Sequence, residues 1–457
     1  MSEKKHIHFI GICGVAMSAL ALTFKERGWK VTGSDKGFFP PISTHLEQNG
    51  IDFYAGWHPE KMGTPDLVVV GNVAGSENPE WLYIQEKNIP YKSYPEVVGE
   101  YFVRPNSIVC AGTYGKTTCT ALLSWIYLNN GYNPNYMFGG LSQNKLPAAH
   151  LTESKWSILE GDEYKSARWD NRPKFSHYNP KYLLLTAVVW DHADIYKTEE
   201  DYHRAFQKLA NELPDDGLVI VSERVDSISF SPKIITYGKS KNCSFRYGTI
   251  CEDATGLKFN IYHDNKSYFI ESPCLGEYMA DNITGCFALA FSLGIEAESI
   301  IENIKTFLGM KRRLEKRFEG KIDVFDDIAH SPAKVKSVIE TLRRNYPDKK
   351  LIIIFEPNTG NRRPEAIPGY DKAFLGADEV IIPRLTKIKH TEGDDEPIEG
   401  TKLTKIIAKT HKNVKYFEND GELVRYLLDK NNENVTIAFL GSHGFRGMIE
   451  DLVKNLD

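Results

Sequence analysis

Apolar residues fall in short runs along the chain, and several of these runs stop in glycine or an acidic residue. Residues 6–10 form such a run, followed by Gly11-Ile-Cys-Gly-Val-Ala-Met17 and an amphipathic stretch to about residue 27. A second run, 30–35, ends in Ser34-Asp35, and a third, 66–72, ends in Gly-Asn72. Strand, glycine turn, helix and strand is the βαβ opening of a nucleotide-binding sheet. The full Gly-x-Gly-x-x-Gly fingerprint is absent, because Cys13 and Met17 interrupt it. The turn is therefore read as binding a phosphate or nucleotide without implying NAD; a turn used only for packing is the alternative. Gly11, Cys13, Gly14, Ser34, Asp35 and Asn72 are its candidate contacts.

The stretch Ser107-Ile-Val-Cys-Ala-Gly-Thr-Tyr-Gly-Lys-Thr-Thr118 repeats the pattern with sharper chemistry. An apolar run enters a glycine turn, and a helix-like segment follows to residue 128. Backbone N–H groups of Gly112, Thr113, Gly115, Lys116, Thr117 and Thr118 are expected to cradle a triphosphate at the helix N-terminus. Lys116 would neutralise the β- and γ-phosphates, and the Thr117 hydroxyl would ligate Mg²⁺. Cys110 stands where the strict phosphate-loop pattern has glycine, so the loop is a variant.

Two more apolar runs end in acidic residues. Residues 156–160 lead into Glu160-Gly-Asp-Glu163, and residues 182–190 lead into Asp191-His192-Ala193-Asp194. In a parallel sheet the C-terminal strand ends gather on one edge, which would bring both clusters to the triphosphate. Glu160 and Thr117 are candidate metal ligands, Glu163 a third oxygen, and His192 a partner of a second metal or of the γ-phosphate. Residues 217–275 alternate apolar runs with turns, and 278–293 reads as a helix with Asn282 near its start. Candidate strands 322–328, 351–355, 379–382 and 436–440, separated by helical stretches, make a last α/β unit.

The reading is an α/β protein of three domains. A Rossmann-like unit spans 1–103, a P-loop ATPase unit with a parallel sheet 104–313, and a second Rossmann-like unit 314–457. A length of 457 residues fits about three domains. A net charge of −5 gives no basic footprint, which argues against nucleic acid as a partner. No apolar run is long enough to span a membrane, and no signal-peptide pattern opens the chain. Seven scattered cysteines without Cys-x-x-Cys suit a reduced, cytoplasmic protein without a zinc site.

Two segments near the second boundary carry further candidates. Lys311-Arg312-Arg313 begins a dense basic run, whose default reading is a solvated face; beside an ATP site, one arginine would reach the transferring phosphoryl group. Asp327, in Asp326-Asp-Ile-Ala-His330-Ser-Pro332, follows a strand, and a ribose contact and a helix cap are equally open for it.

Taken together, these motifs resemble the Mur ligases of bacterial cell-wall synthesis over essentially the whole chain. Ala111-Gly-Thr-Tyr-Gly-Lys-Thr-Thr118 resembles the family's ATP loop, with Tyr114 where close relatives carry His. Glu160-Gly-Asp-Glu-Tyr164 resembles Glu-Ala-Asp-Glu, Asp191-His192 the family's Asp-His, and Arg312-Arg313-Leu-Glu315 the hinge Arg-Arg-x-Glu. Asp327 to Pro332 is similar to Asp-Tyr-x-His-x-Pro, which brings in His330. The segment 276–282 lacks the usual His-Asn pair, so only Asn282 carries over, as an adenine contact. Gln207 falls near the place of the carbamylated lysine of some members, so that modification is not expected.

The resemblance implies an ATP- and Mg²⁺-dependent ligase acting on UDP-N-acetylmuramate. Lys116, Glu160, His192 and Arg313 would be catalytic, and Arg313, Asp327 and His330 would meet the nucleotide. Glu163 and the residues of the first glycine turn would border the sugar substrate, and closure of the last domain would gate the reaction. Phe39-Pro-Pro-Ile-Ser-Thr44, Asp170-Asn-Arg-Pro-Lys-Phe-Ser-His-Tyr178 and Asp191-His-Ala-Asp-Ile-Tyr196 resemble the recycling branch. That branch attaches a recovered murein peptide, L-alanyl-γ-D-glutamyl-meso-diaminopimelate. The alternatives are the L-alanine-adding branch of de novo synthesis and a non-catalytic nucleotide-binding regulator. A monomer or weak homodimer is expected.

Overall fold

The computed structural model describes residues 5–38, 42–192, 195–231, 233–386, 397–430 and 433–456. Phe39, Pro40 and Pro41 of one quoted segment, and Ala193 and Asp194 of another, lie outside the described residues.

The chain opens with β1 (His6–Ile10), α1 (Val15–Glu26), β2 (Lys30–Asp35), α2 (Ile42–Gln48), β3 (Asp52–Ala55), β4 (Leu67–Val70), α3 (Pro79–Glu86), β5 (Tyr91–Ser93) and α4 (Tyr94–Tyr101). Its five strands are parallel, in the order β3-β2-β1-β4-β5. Alternate residues of the inner strands feed two cores. Ile7, Phe9 and Val69 join one, and Ile10, Val68 and Val70 join another with Trp81 and Ile84. That is why β4 reads as an unbroken apolar run, and why β1 is buried throughout although it carries His6 and His8. The strand order reverses between β1 and β4, where such sheets bind ligands at their C-terminal edge. The Gly11–Gly14 turn and Asn72 both follow these strands.

Next come β6 (Asn106–Ala111), α5 (Lys116–Asn129), β7 (Asn135–Met137), β8 (Ala149–His150), β9 (Trp156–Gly161), the hairpin β10 (Lys165–Ala167) and β11 (Asp170–Pro173), β12 (Tyr182–Leu185), α6 (Glu199–Asn211), β13 (Leu218–Ser222), β14 (Lys233–Gly238) and β15 (Phe245–Tyr247). β6 lies between β9 and β12, parallel to both. β13, β14 and β15 extend the sheet on the β12 side, and β7 and β8 on the other. β9 and β12 therefore flank the phosphate loop, as the sequence pattern predicts, with Glu160 at the end of β9, whereas Asp191 and His192 lie well beyond the end of β12. The expected strand 182–190 stops at Leu185. Beyond it the backbone turns to pair with the loop itself: Thr113 N donates to Ala187 O at 2.9 Å, and Val189 N donates to Thr113 Oγ1 at 2.9 Å.

The stretches read as the first two domains share one hydrophobic core. Leu20, Phe24, Val97 and Phe102 belong to the same cluster as Leu159, Phe175, Tyr178 and Leu183. The chain divides into two compact units, and both stretches lie in the first, which comprises Met1–Thr249, Phe259–Glu271 and Ala280–Phe307. The second comprises Ile250–Lys258, Ser272–Met279 and Leu308–Asp457. Between the stretches of these units run β16 (Cys251–Asp253), β17 (Gly256–His263), β18 (Lys266–Ser272), α7 (Glu277–Ser292) and α8 (Ala297–Thr306).

The rest of the second unit holds β19 (Glu315–Phe318), β20 (Ile322–Asp327), α9 (Pro332–Asn345), β21 (Lys350–Glu356), β22 (Glu379–Pro383), α10 (Gly400–Ile407), β23 (Val414–Phe417), α11 (Asp420–Leu428), β24 (Val435–Gly441) and α12 (Met448–Leu456). Its sheet order is β19-β20-β24-β21-β22-β23, and all but the edge strand β19 run parallel. The sheet's buried runs feed two cores, as do those of the β1–β5 sheet.

Candidate active site

Gly112 and Gly115 shape the loop after β6, with φ of +131° and +81°. Only glycine adopts such angles without strain. A Cβ on Gly112 would meet Thr186 and the backbone of Ala187; on Gly115 it would meet the Asn282 side chain. Asn282, predicted as an adenine contact, thus packs directly on the loop. Thr113 Oγ1 donates to Val189 O at 2.9 Å, and the Thr186 hydroxyl bonds to Tyr114 O. The loop is therefore held against residues 186–189. Helix α5 starts at Lys116 without a side-chain cap. Its first N–H groups, those of Lys116, Thr117 and Thr118, are left for a ligand, and the helix end favours an anion. Cys110 is a fully buried strand residue, so the departure from the strict loop pattern falls in the sheet.

Thr117 Oγ1 donates to Glu160 Oε1 at 2.7 Å, and Gly139 N donates to Glu160 Oε2 at 2.6 Å. A hydroxyl and a carboxylate are hard oxygen donors of the kind Mg²⁺ takes, with the remaining positions left to phosphate and water. Among the described residues no three His, Cys, Asp or Glu side chains converge as a metal cage. The protein's donors fit a Mg²⁺ that arrives with phosphate. They do not make a dedicated ion site.

Lys116 Nζ donates to Glu163 Oε2 at 2.6 Å. Glu163 is only 1% exposed, and its Oε1 also accepts from Tyr202 OH at 3.4 Å and lies 3.6 Å from His192 Nε2. Lys116, Glu163 and His192 are thus brought together, while His192 stands on Glu163 and not on Glu160. His192 occupies a left-handed conformation, φ +55°, fixed by its N–H to Asp191 Oδ1 at 2.7 Å.

The neighbouring Glu163 carboxylate raises the His192 imidazole above its ordinary value, against the opposing effect of burial. A raised folded value means that the pair's stabilisation is complete below the unfolded value and is lost as pH rises through the folded one. NMR titration is expected to place His192 above an unperturbed histidine, and Glu163→Gln to bring it back down. An unchanged titration in that variant would show that Glu163 is not the cause.

In the first glycine turn, Gly11 N and Ile12 N donate to Ser34 O at 2.8 and 3.0 Å. Cys13 N donates to Asp35 Oδ2 at 2.8 Å, so the acidic end of β2 ties down the turn. Ser34 Oγ donates to Glu80 Oε2 at 2.5 Å, and Tyr54 OH and His58 N donate to Glu80 Oε1 at 2.7 and 2.8 Å. Glu80 is wholly buried on α3. Burial pushes its carboxyl up, but these donors and the nearby His8 ring outweigh burial and hold it below the usual range. Asn72 is exposed beside the turn.

In the second unit, Asp327 is buried at the end of β20. Its Oδ2 accepts from Leu314 N and its Oδ1 from Ala329 N, both at 2.7 Å. Burial still raises it above its ordinary value. His330 Nδ1 lies 2.7 Å from Ile328 O. Arg312 and Leu314 have φ of +58° and +47°. The Arg312 guanidinium turns inward to the carbonyls of Gly441, Ser442 and His443 at 2.6, 3.1 and 2.8 Å. Arg313 is exposed.

Sequence reasoning missed Glu80, Tyr202, Thr186 and Gly139. Only the Gly139-Gly140 pair carried a visible signal, a second glycine turn after an apolar run.

Three family models match in chain order. Residues 6–104 match the Mur ligase family catalytic domain, 110–290 the Mur ligase middle domain, and 312–443 the Mur ligase glutamate ligase domain. The UDP-N-acetylmuramate–L-alanyl-γ-D-glutamyl-meso-2,6-diaminoheptandioate ligase of Haemophilus influenzae is 31% identical over 367 residues, 79% of this chain and 81% of its own. The UDP-N-acetylmuramate–L-alanine ligase of Lactobacillus acidophilus is 30% identical over 448 residues, 97% of each chain. Among solved structures, a UDP-N-acetylmuramate-alanine ligase from Thermotoga maritima has the same fold, with a TM-score of 0.81 over 98% of both chains at 22% identity. The phosphate loop between β9 and β12, with Glu160 and Glu163 beside it, falls in the stretch matched as the middle domain. The chain belongs to the Mur ligase family and is an ATP-dependent ligase that forms carbon–nitrogen bonds.

Proposed function

We propose that the chain joins UDP-N-acetylmuramate to the tripeptide L-Ala-γ-D-Glu-meso-diaminopimelate, in recycling of peptidoglycan. The observation that carries this reading is the segment from Asp170 to Tyr178, whose sequence resembles the recycling branch and which forms the second strand of a hairpin and a one-turn helix. The relatives named for L-alanine addition match more of the chain at nearly equal identity, which keeps that activity as the second reading. Residues 1–103 would hold the UDP-sugar, 104–313 the ATP, and 314–457 the nucleotide and incoming peptide.

The reaction is activation of the muramyl carboxylate by ATP as an acyl phosphate, then attack by the peptide amine to give the amide, ADP and phosphate. Mg²⁺, when bound, neutralises charge on the phosphates. Thr117 and Glu160 would hold it on one side of the loop. Lys116 would leave Glu163 for the β- and γ-phosphates, and Glu163 would keep His192 and Tyr202 as partners. Asn282 would meet the adenine, and Asp327 and His330 the rest of the nucleotide.

Gly14 supports the sugar site. Its backbone is ordinary, with φ −65°, and a Cβ would find its nearest neighbour at 3.5 Å. The fold does not require glycine there, whereas a close-lying phosphate does. Gly14→Ala is expected to fold normally and to raise KM for the UDP-sugar about 10-fold or more with little change in kcat. An unchanged KM would remove this turn from the sugar site.

The two adjacent arginines separate by the same logic. Arg312→Ala leaves three carbonyls without their donor and is expected to lower the thermal stability of the second unit. Arg313→Ala is expected to keep that stability and to lower kcat about 100-fold, as the loss of one charge-stabilising group does. Equal melting curves with reversed kinetics would exchange their roles.

Parallel assays of ATP-dependent phosphate release with the tripeptide and with L-alanine test the reading as a whole.

A further inference from the structure

Lys174 stands apart from the Lys116, Thr117 and Glu160 contacts of the phosphate loop. It opens the one-turn helix Lys174–His177, directly after β11. Its Nζ donates to Asp162 Oδ2 at 2.5 Å. Its own N–H donates to Tyr164 O at 3.0 Å, and Phe175 N donates to Asp162 O at 3.2 Å. The segment is thus laid back along the end of β9. Asp162 and Glu163 are neighbours in the chain; Lys174 takes the first and Lys116 the second. Two ammonium groups stand at one strand end, with side chains only 18% and 14% exposed. The Lys174 Nζ lies 5.8 Å from the centre of the Tyr164 ring, which meets the His192 ring edge-on at 5.3 Å. Lys174 therefore belongs to the surroundings of the phosphate loop.

A partly buried Lys–Asp pair is a poor means of gaining stability, because desolvation offsets the attraction. Its support is nevertheless rigid. Phe175 and Tyr178 are buried, and α4 lies so close that a Cβ on Gly99 would strike the His177 carbonyl. The tip of the hairpin reaches the first domain. Trp169 stacks on Trp81, with centroids 4.8 Å apart at 10°, and the Arg168 guanidinium lies 4.8 Å from the centre of the Trp81 ring. One short segment thus runs from the domain read as holding the UDP-sugar to the strand end beside the P-loop. The donor carboxylate has to make the same journey. It approaches a triphosphate past Glu160, Asp162 and Glu163, and Lys116 is the cation read for the phosphates.

We propose that Lys174 binds the carboxylate of the UDP-sugar donor and presents it to the γ-phosphate, giving up Asp162 as the substrate carboxylate arrives. Lys174 keeps its proton throughout. The bond made is from a carboxylate oxygen to the γ-phosphorus, and the bond broken is the one that releases ADP. The proposal rests on UDP-N-acetylmuramate as donor.

UDP-N-acetylglucosamine lacks the lactyl group and its carboxylate but is otherwise the same ligand. Calorimetric titration of both UDP-sugars into the full-length wild type, Lys174→Met, Lys174→Arg and Asp162→Asn isolates the contact. The wild type is expected to prefer UDP-N-acetylmuramate. Lys174→Met is expected to lose that preference, weakening UDP-N-acetylmuramate about 10-fold or more, with UDP-N-acetylglucosamine and ATP affinities unchanged. Lys174→Arg keeps most of the preference, and Asp162→Asn, which frees the ammonium, keeps or strengthens it. If Lys174→Met weakens both sugars alike, or weakens ATP, Lys174 is a structural prop and the proposal falls. If Lys174→Met retains the wild-type preference, the proposal falls while the donor reading stands. If the wild type binds neither UDP-sugar, the donor reading falls and takes the Lys174 assignment with it.

Discussion

Lys116→Met is expected to lower turnover by about 10³-fold or more, together with a loss of ATP affinity. Lys116 is the cation at the mouth of the helix N-terminus, and three carboxylates, Glu160, Asp162 and Glu163, lie on the neighbouring strand end. Without its ammonium, the triphosphate faces those charges with its nearest cation gone, since Lys174 is held on Asp162. The substitution also strips the buried Glu163 of its closest partner, and an uncompensated buried carboxylate is destabilising. The double variant Lys116→Met/Glu163→Gln separates the two effects. Melting is expected to recover in the double variant, and turnover is not. Recovery of turnover as well would mean that Lys116 serves only to neutralise Glu163.

Gly112→Ala is expected to be nearly as damaging, by a different route. The position has φ +131°, and an added Cβ would lie 2.8 Å from both Ala187 N and Ala187 O. Neither side can move freely, because Thr113 and residues 186–189 are bonded to each other. Backbone strain and overpacking together cost about 3 kcal/mol. The loop would leave its cradle geometry, and ATP affinity is expected to fall about 100-fold. Equilibrium nucleotide titration beside thermal melting checks both parts. Wild-type affinity in this variant would show that the loop does not form the phosphate site.

Much of this architecture is legible in the chain. Runs such as 6–10 and 106–111 read as strands because they are buried on both faces, and the turns after them carry glycines that their positive φ demands. The run 182–190 misleads. Ala187 and Val188 are buried like strand residues, but their backbone is spent on the P-loop and not on a sheet ladder. The division of the chain into two units depends on contacts between distant segments, which periodicity does not report.

The site divides in the same way. Lys116, Thr117 and Glu160 stand out by motif. Their meeting depends on register, since Cys110 and Ala111 of β6 pair with Glu160 and Gly161 of β9. The pairing of Lys116 with Glu163 follows from that register and has no signature of its own. Glu80 is one acidic residue on a short helix, and only Ser34, Tyr54 and His58 reveal why it is buried. Arg312 and Arg313 are identical neighbours in sequence. A left-handed backbone at Arg312 sends one inward and leaves the other exposed.

Phosphate release with ATP, Mg²⁺ and UDP-N-acetylmuramate, offering the tripeptide and L-alanine separately, decides which acceptor the chain uses. Release is expected to depend on the tripeptide, with the UDP-muramyl tripeptide as product. Release with L-alanine alone would contradict the tripeptide reading and assign the chain to the alanine-adding branch.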